Sequence, residues 1–195
     1  MSDLMQHDMA TILKELQDEN PDVRELALDK IGMLQPANAI ELIIPFLEDS
    51  DPEVRCTAAC NLGIVNDIRS VPYLIKIVES DYSEKVRTEA LISLAEYKSP
   101  DILNCLVAEV YREKKSRRPR QEVAKQLRHY NTESAVDALI LLLKDADVFV
   151  RDHAADTLLH LNRPRLREVW KNALTDQSLD VQEVAAQALA QLSSC

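Results

Sequence analysis

The chain has 195 residues, 33 of them acidic and 23 basic, for a formal net charge of −10. That acid excess disfavours a general binder of nucleic acid or anionic lipid and suits a protein whose partner is basic. Only 2 glycines and 4% aromatic residues, beside abundant Leu, Ala, Glu and Lys, favour helices over strands.

The segment opening Met1-Ser-Asp-Leu shows no basic stretch followed by an apolar run, so no secretory leader is expected. A repeat then begins, spanning residues 9–35. Its signature is Asp-x-[Asn/Asp/Ser]-x-x-Val-[Arg/Gln], with Asp18, Asn20 and the anchor Val23. The second repeat (36–67) is the clearest. Ile40, Ile43, Ile44, Phe46 and Leu47 suit a first helix with one packed side, and Glu48-Asp49-Ser50 ends it. Asp51 is a good N-cap and Pro52 a good first helical residue. Val54, Ala58, Leu62 and Val65 then define one buried stripe of a second helix. Cys56 and Cys60 lie one turn apart on it. That spacing is open to a metal or thiol-reactive ligand, but small side chains packed at a repeat junction account for it more simply.

The third repeat (68–99) is anchored at Val86. The fourth (100–132) breaks the pattern: Lys115 stands for the turn aspartate and Arg120 for the anchor valine, with a longer connection. Arg112, Lys114, Lys115, Arg117, Arg118 and Arg120 crowd this connection, which reads as a docking loop for an acidic protein or anionic ligand, or as a solvated loop. The fifth (133–163) and sixth (164–195) are anchored at Val150 and Val181. Its longest apolar stretch, Ala138 to Leu143, is too short to span a bilayer. Trp170 is expected to help close the terminal core, and Pro45 and Pro72 to tilt or bend first helices. The four cysteines, Cys105 and Cys195 included, lack disulfide-framework spacing and read as reduced thiols of a cytoplasmic protein.

The anchors, with Arg120 as the degenerate copy, step by 31, 32, 34, 30 and 31 residues. An alanine follows each by four: Ala27, Ala58, Ala90, Ala124, Ala154 and Ala185. Such a period specifies one solenoid of six helix pairs over residues 1–195, in which each unit buries its apolar face against its neighbours. The string from Asp49 to Gly63, Asp-x-Asp-Pro-Glu-Val-Arg-x-x-Ala-x-x-x-Leu-Gly, resembles the HEAT-like repeat of the phycobilisome-lyase type. The resemblance covers roughly residues 9–192 and implies an all-α, right-handed α-α superhelix. It also implies a polar ladder of turn acids of the Asp22 or Asp51 kind with Arg24, Arg55, Arg87 and Arg151. Gln121 and Gln182 interrupt that ladder.

Family geometry further implies that second helices line a concave face. Positions two and six after each anchor are then Glu25, Asp29, Cys56, Cys60, Thr88, Ile92, Glu122, Gln126, Asp152, Asp156, Glu183 and Gln187. Six of these are acidic and none basic, which reads as an acidic groove for a basic segment. The spacing allows His129 and His160 to approach that face, but an ordinary polar role accounts for each more simply.

No nucleophile motif or Gly-rich phosphate loop is present, and no cofactor or metal is expected. The His-Glu dipeptides with which the HEAT-repeat enzyme deoxyhypusine hydroxylase holds iron are missing, and an acidic face disfavours HEAT-like DNA glycosylases. Three functions remain. First is a non-catalytic protein-binding scaffold, second a phycobilin-lyase-like protein using Cys56 or Cys60, and third an acidic inhibitor of a basic target. The first is preferred, with no membrane or nucleic-acid partner and the oligomeric state open.

Overall fold

The computed structural model describes residues 2–97, 99–112 and 116–193, with side chains for all of these except 2–8 and 100. Described residues form helices and turns without a strand. First and second helices alternate. α1 (Ser2–Glu15) precedes α2 (Pro21–Leu34), and α3 (Ala39–Ile43), prolonged by a 3₁₀ turn at Ile44–Glu48, precedes α4 (Pro52–Val65). Next come α5 (Val71–Ser80) and α6 (Glu84–Leu94), then α7 (Pro100–Tyr111) and α8 (Arg117–Gln126). The last four are α9 (Glu133–Leu142), α10 (Val148–Leu161), α11 (Arg167–Ala173) and α12 (Leu179–Ser193). The chain is thus an all-α solenoid of six helix pairs. It divides into two compact units, Met1–Ile102 and Leu103–Cys195. In the first unit α2 packs on α4 and α4 on α6; in the second α8 packs on α10 and α10 on α12.

Local chemistry starts five of the six second helices. The side chains of Asn20, Asp51 and Asp147 accept from the N–H two residues on, and those of Ser83 and Ser178 from the N–H three on. These bonds satisfy amides that a helix start otherwise leaves unpaired. The helix ends are also specified: Gln35, Asn66 and Asn162 take left-handed φ of 44°, 51° and 42° just past α2, α4 and α10. Pro72 lies in the first turn of α5, where its missing N–H costs nothing, so it starts that helix rather than bending it. Pro45 coincides with the change from α to 3₁₀ geometry.

The turn aspartates carry two duties. Asp18, Asp49, Asp81, Asp145 and Asp176 each accept the backbone N–H of the residue two positions on, at 2.7–2.9 Å. Four of them also receive a two-pronged guanidinium from the preceding repeat: Arg24 to Asp49, Arg55 to Asp81, Arg120 to Asp145 and Arg151 to Asp176. In Arg24, Arg55, Arg87 and Arg151, Nη1 also donates to the carbonyl of its own turn aspartate. Gln182 reproduces that last bond, with Nε2 on the Asp176 carbonyl at 2.6 Å. The ladder acid is therefore the aspartate five before the anchor. Asp51 is instead a helix cap, and Asp22 lies in the first turn of α2.

This ladder corrects the repeat register. Arg120 occupies the place of Arg24, Arg55 and Arg151, so the fourth anchor is the buried Pro119 and not Arg120. A second bond agrees. Ser93 Oγ donates to the Ala59 carbonyl and Thr157 Oγ1 to the Ala124 carbonyl, both at 2.9 Å; the acceptor is five past the anchor in both once that anchor is Pro119. The anchors then step by 31, 32, 33, 31 and 31 residues. Pro119 is the third residue of α8, inside the first turn, where proline is tolerated. Val123, not Ala124, takes the fourth copy of the small-residue position, and both are fully buried.

Second helices approach closely. A Cβ at Gly32 would fall on Asn61 Oδ1, and one at Gly63 would meet Ser93 Oγ at 2.8 Å. Asn61 is held there by donating to Asp29 Oδ1 and to the Thr57 carbonyl, each at 3.0 Å. Beneath these contacts lie fully buried Leu28, Ile31, Leu62, Leu91 and Leu94 in the first unit, and Val150, Leu158 and Val181 in the second. Burying each such side chain contributes roughly 1.5–3 kcal/mol. Trp170 is 2% exposed and belongs to the core of the last pair.

Candidate functional site: the solvent face of the second helices

Residues two, six and ten beyond an anchor project within about 80° of one another on a helix, away from the stripe that packs inward. In the first unit these positions hold Glu25 and Asp29 on α2, Cys56 and Cys60 on α4, and Thr88 and Ile92 on α6. Glu25 accepts from Thr57 Oγ1 at 3.3 Å, so it also ties α2 to α4. Burial pushes its carboxyl above the ordinary value, helped by nearby Glu53 and opposed by that hydrogen bond. Cys56 is buried and Cys60 half-buried, and both thiols are pushed up to about 11, chiefly by burial and then by the charge of Glu89. Each thiol is therefore less ionised at neutral pH than a free one, which weakens it as a nucleophile.

In the second unit the corrected register changes two positions. Gln121 and Lys125 replace Glu122 and Gln126. Gln126 is buried, donating to Glu122 Oε1 at 3.1 Å, and Glu122 also meets the exposed Lys125 at 3.5 Å. The face therefore carries one cation where the sequence suggested none. Asp152, Asp156, Glu183 and Gln187 do come together, on α10 and α12. With Asp180 and Val184 they line a hollow of about 310 Å³. Asp152 accepts from Ser178 Oγ at 2.9 Å, which pins one wall. Asp180 was invisible to the two-and-six rule because it precedes its anchor by one, at the first turn of α12. At the far end of α10, exposed His160 lies 3.5 Å through Nδ1 from Arg128, which with the exposed His129 belongs to the 3₁₀ turn after α8.

Two cations of the basic connection are committed to carboxylates. Arg120 is buried and committed to Asp145, and Arg112 pairs with Glu109 at 2.8 Å. Arg117 lies 5.1 Å above the ring of the half-exposed Phe149, and Arg118 is exposed. Lys114 and Lys115 fall outside the described residues, as does Cys195. Phe149 gave no warning in the sequence, since it comes from the next repeat's first helical turn. Among the described residues, no group of three or more His, Cys, Asp or Glu is placed to hold a metal, and no helix is long and apolar enough to cross a membrane.

Known structures share this architecture. The complex of CpcE and CpcF of phycocyanin lyase from Nostoc sp. is 22% identical with TM-score 0.64, over 93% of this chain and 75% of that one. A designed armadillo repeat protein in complex with the peptide (KR)4 is 18% identical with TM-score 0.68, over 93% and 98%. Human deoxyhypusine hydroxylase is 18% identical with TM-score 0.52, over 95% and 84%. At these identities the likeness is one of fold. No curated protein sequence matches significantly. The sequence profile of HEAT repeats matches residues 9–95, 71–158 and 106–190, and on those three overlapping matches the chain belongs to the HEAT-repeat family.

Proposed function

We propose that this protein is a non-catalytic protein-binding module that takes a basic segment of its partner against the carboxylates of its second helices. The observation that carries the reading is the hollow between α10 and α12, where Asp152, Asp156, Asp180 and Glu183 converge. Four carboxylates set together repel one another, and a cationic side chain relieves that repulsion on arrival. The net charge of −10 adds long-range attraction for such a partner. A designed repeat protein of the same architecture is known in complex with (KR)4, an alternating Lys-Arg peptide. A scaffold or adaptor in a reducing, cytoplasmic setting fits the free thiols of Cys56, Cys60 and Cys105. Bilin handling, suggested by the lyase likeness, fits less well because thiols held near 11 supply little thiolate.

Fluorescence anisotropy with labelled (KR)4 tests the reading. Reversing two exposed acids, Asp156→Lys with Glu183→Lys, is expected to weaken binding by at least about tenfold, and raised salt to weaken it further. Reversing Arg117 and Arg118 to Glu should not weaken it. Unchanged affinity in the acid variant removes this face from the site.

A further inference from the structure

The two units do not present the same face. In the first, the positions ten past the anchors of α2 and α4 hold Met33 and Ile64, and the position six past the anchor of α6 holds Ile92. All three are large, apolar and wet, at 84%, 53% and 43% exposure. Ile64 shares α4 with the thiols of Cys56, which is buried, and Cys60, which is half-buried. Carboxylates sit at the margin: Glu25 and Asp29 on α2, and Glu89 beside the cysteines on α6. Second helices bury apolar side chains inward, so these three turned to solvent, one on each of three successive second helices, add nothing to folding. Exposed apolar side chains recurring on neighbouring helices and flanked by charge mark interaction surfaces.

We infer that the first unit docks a cationic amphipathic helix, whose apolar side covers Met33, Ile64 and Ile92 while its Lys or Arg side meets Glu25, Asp29 and Glu89. This deepens the reading above and rests on it for the sign of the partner's charge. The alternatives are disfavoured on charge and contact. A second copy would bring the same acids against themselves in a chain of net charge −10. An extended basic peptide satisfies the carboxylates but leaves the apolar side chains wet. An anionic bilayer is repelled by the same carboxylates. A helix of about 10–12 Å diameter also matches neighbouring helices about 8–10 Å apart, whose side chains it can straddle.

Two synthetic peptides of identical composition test the inference with the full chain. One places leucines on one face and lysines on the other when helical; the second scrambles them so that no face forms. The amphipathic peptide is expected to bind at least about tenfold tighter and to gain helical circular dichroism on binding. Ile64→Glu with Ile92→Glu should abolish that preference while leaving (KR)4 affinity unchanged. Met33→Glu, at the most exposed of the three positions, should weaken the amphipathic peptide without altering the melting temperature. Equal binding of the two peptides, no binding of either, or a preference that survives these variants overturns the inference. A dimer dispersed by Ile64→Glu, seen by sedimentation, also overturns it. Loss of (KR)4 binding on reversing Asp156 and Glu183, with the amphipathic preference intact, supports both claims, whereas unchanged (KR)4 binding with that preference intact overturns the reading above alone.

Discussion

Arg120 shows how one side chain's place in a network decides its role. By sequence it belongs with five neighbouring cations; in the structure its side chain is 7% exposed and its partner Asp145 only 1%. Removing one member of a buried pair leaves an uncompensated charge, so Arg120→Ala should cost roughly 3–5 kcal/mol in urea unfolding. Lys76→Ala should leave the urea midpoint nearly unchanged, because Lys76 and Glu48 are 66% and 75% exposed and water screens the pair. Equal losses in the two variants would refute the buried-rung assignment. The ladder also predicts a pH dependence. Burial pushes the Asp49 carboxyl up, but hydrogen bonds from Arg24 and the Asp51 N–H, with the Arg24 charge, outweigh it and hold the group below its ordinary value. Asp176 behaves alike through Arg151 and the Ser178 N–H. A depressed carboxyl contributes stability above its unfolded pKa, about 3.9, and loses that contribution as pH falls through the lower folded value. The melting-temperature gap between wild type and Asp49→Asn should therefore be full at pH 7 and shrink below about pH 4. A gap independent of pH would show that the pair acts through shape alone.

At the scale of the helix, the second helices are pinned by close approach as much as by apolar burial. Gly63 faces Ser93, whose hydroxyl is already committed to the Ala59 carbonyl, so neither side can yield cheaply. Gly63→Val should destabilise by about 1–3 kcal/mol through overpacking, read as a lower denaturation midpoint. Much of this architecture was legible beforehand. Helix starts, the five valine anchors and the buried alanines follow from spacing and capping chemistry alone. The fourth repeat was not legible, since Pro119 serves as an anchor only because it lies in the first turn of α8. A search keyed to valine slips by one residue there and exchanges Gln121 and Lys125 for Glu122 and Gln126. Asp180 and Phe149 were missed for a related reason: both precede their anchors by one, at positions that no periodic stripe marks.

For the whole molecule, a net charge of −10 supports the proposed basic partner without saying where it settles, whereas the structure separates a carboxylate-lined second unit from a partly apolar first one. If the acids serve binding, some should detract from stability. Burial raises the Glu25 carboxyl, so its ionised form is disfavoured in the fold, and Glu25→Gln should raise the melting temperature slightly at pH 7. A lower melting temperature would make Glu25 a structural residue through its Thr57 bond. Amide chemical-shift mapping of the labelled full chain during a (KR)4 titration tests most directly whether a basic segment settles on the second helices. Shifts concentrated at Asp152, Asp156, Asp180, Glu183 and Gln187 that fade with added salt are expected. Shifts spread evenly over the first helices, or none at α10 and α12, would contradict the proposed binding face.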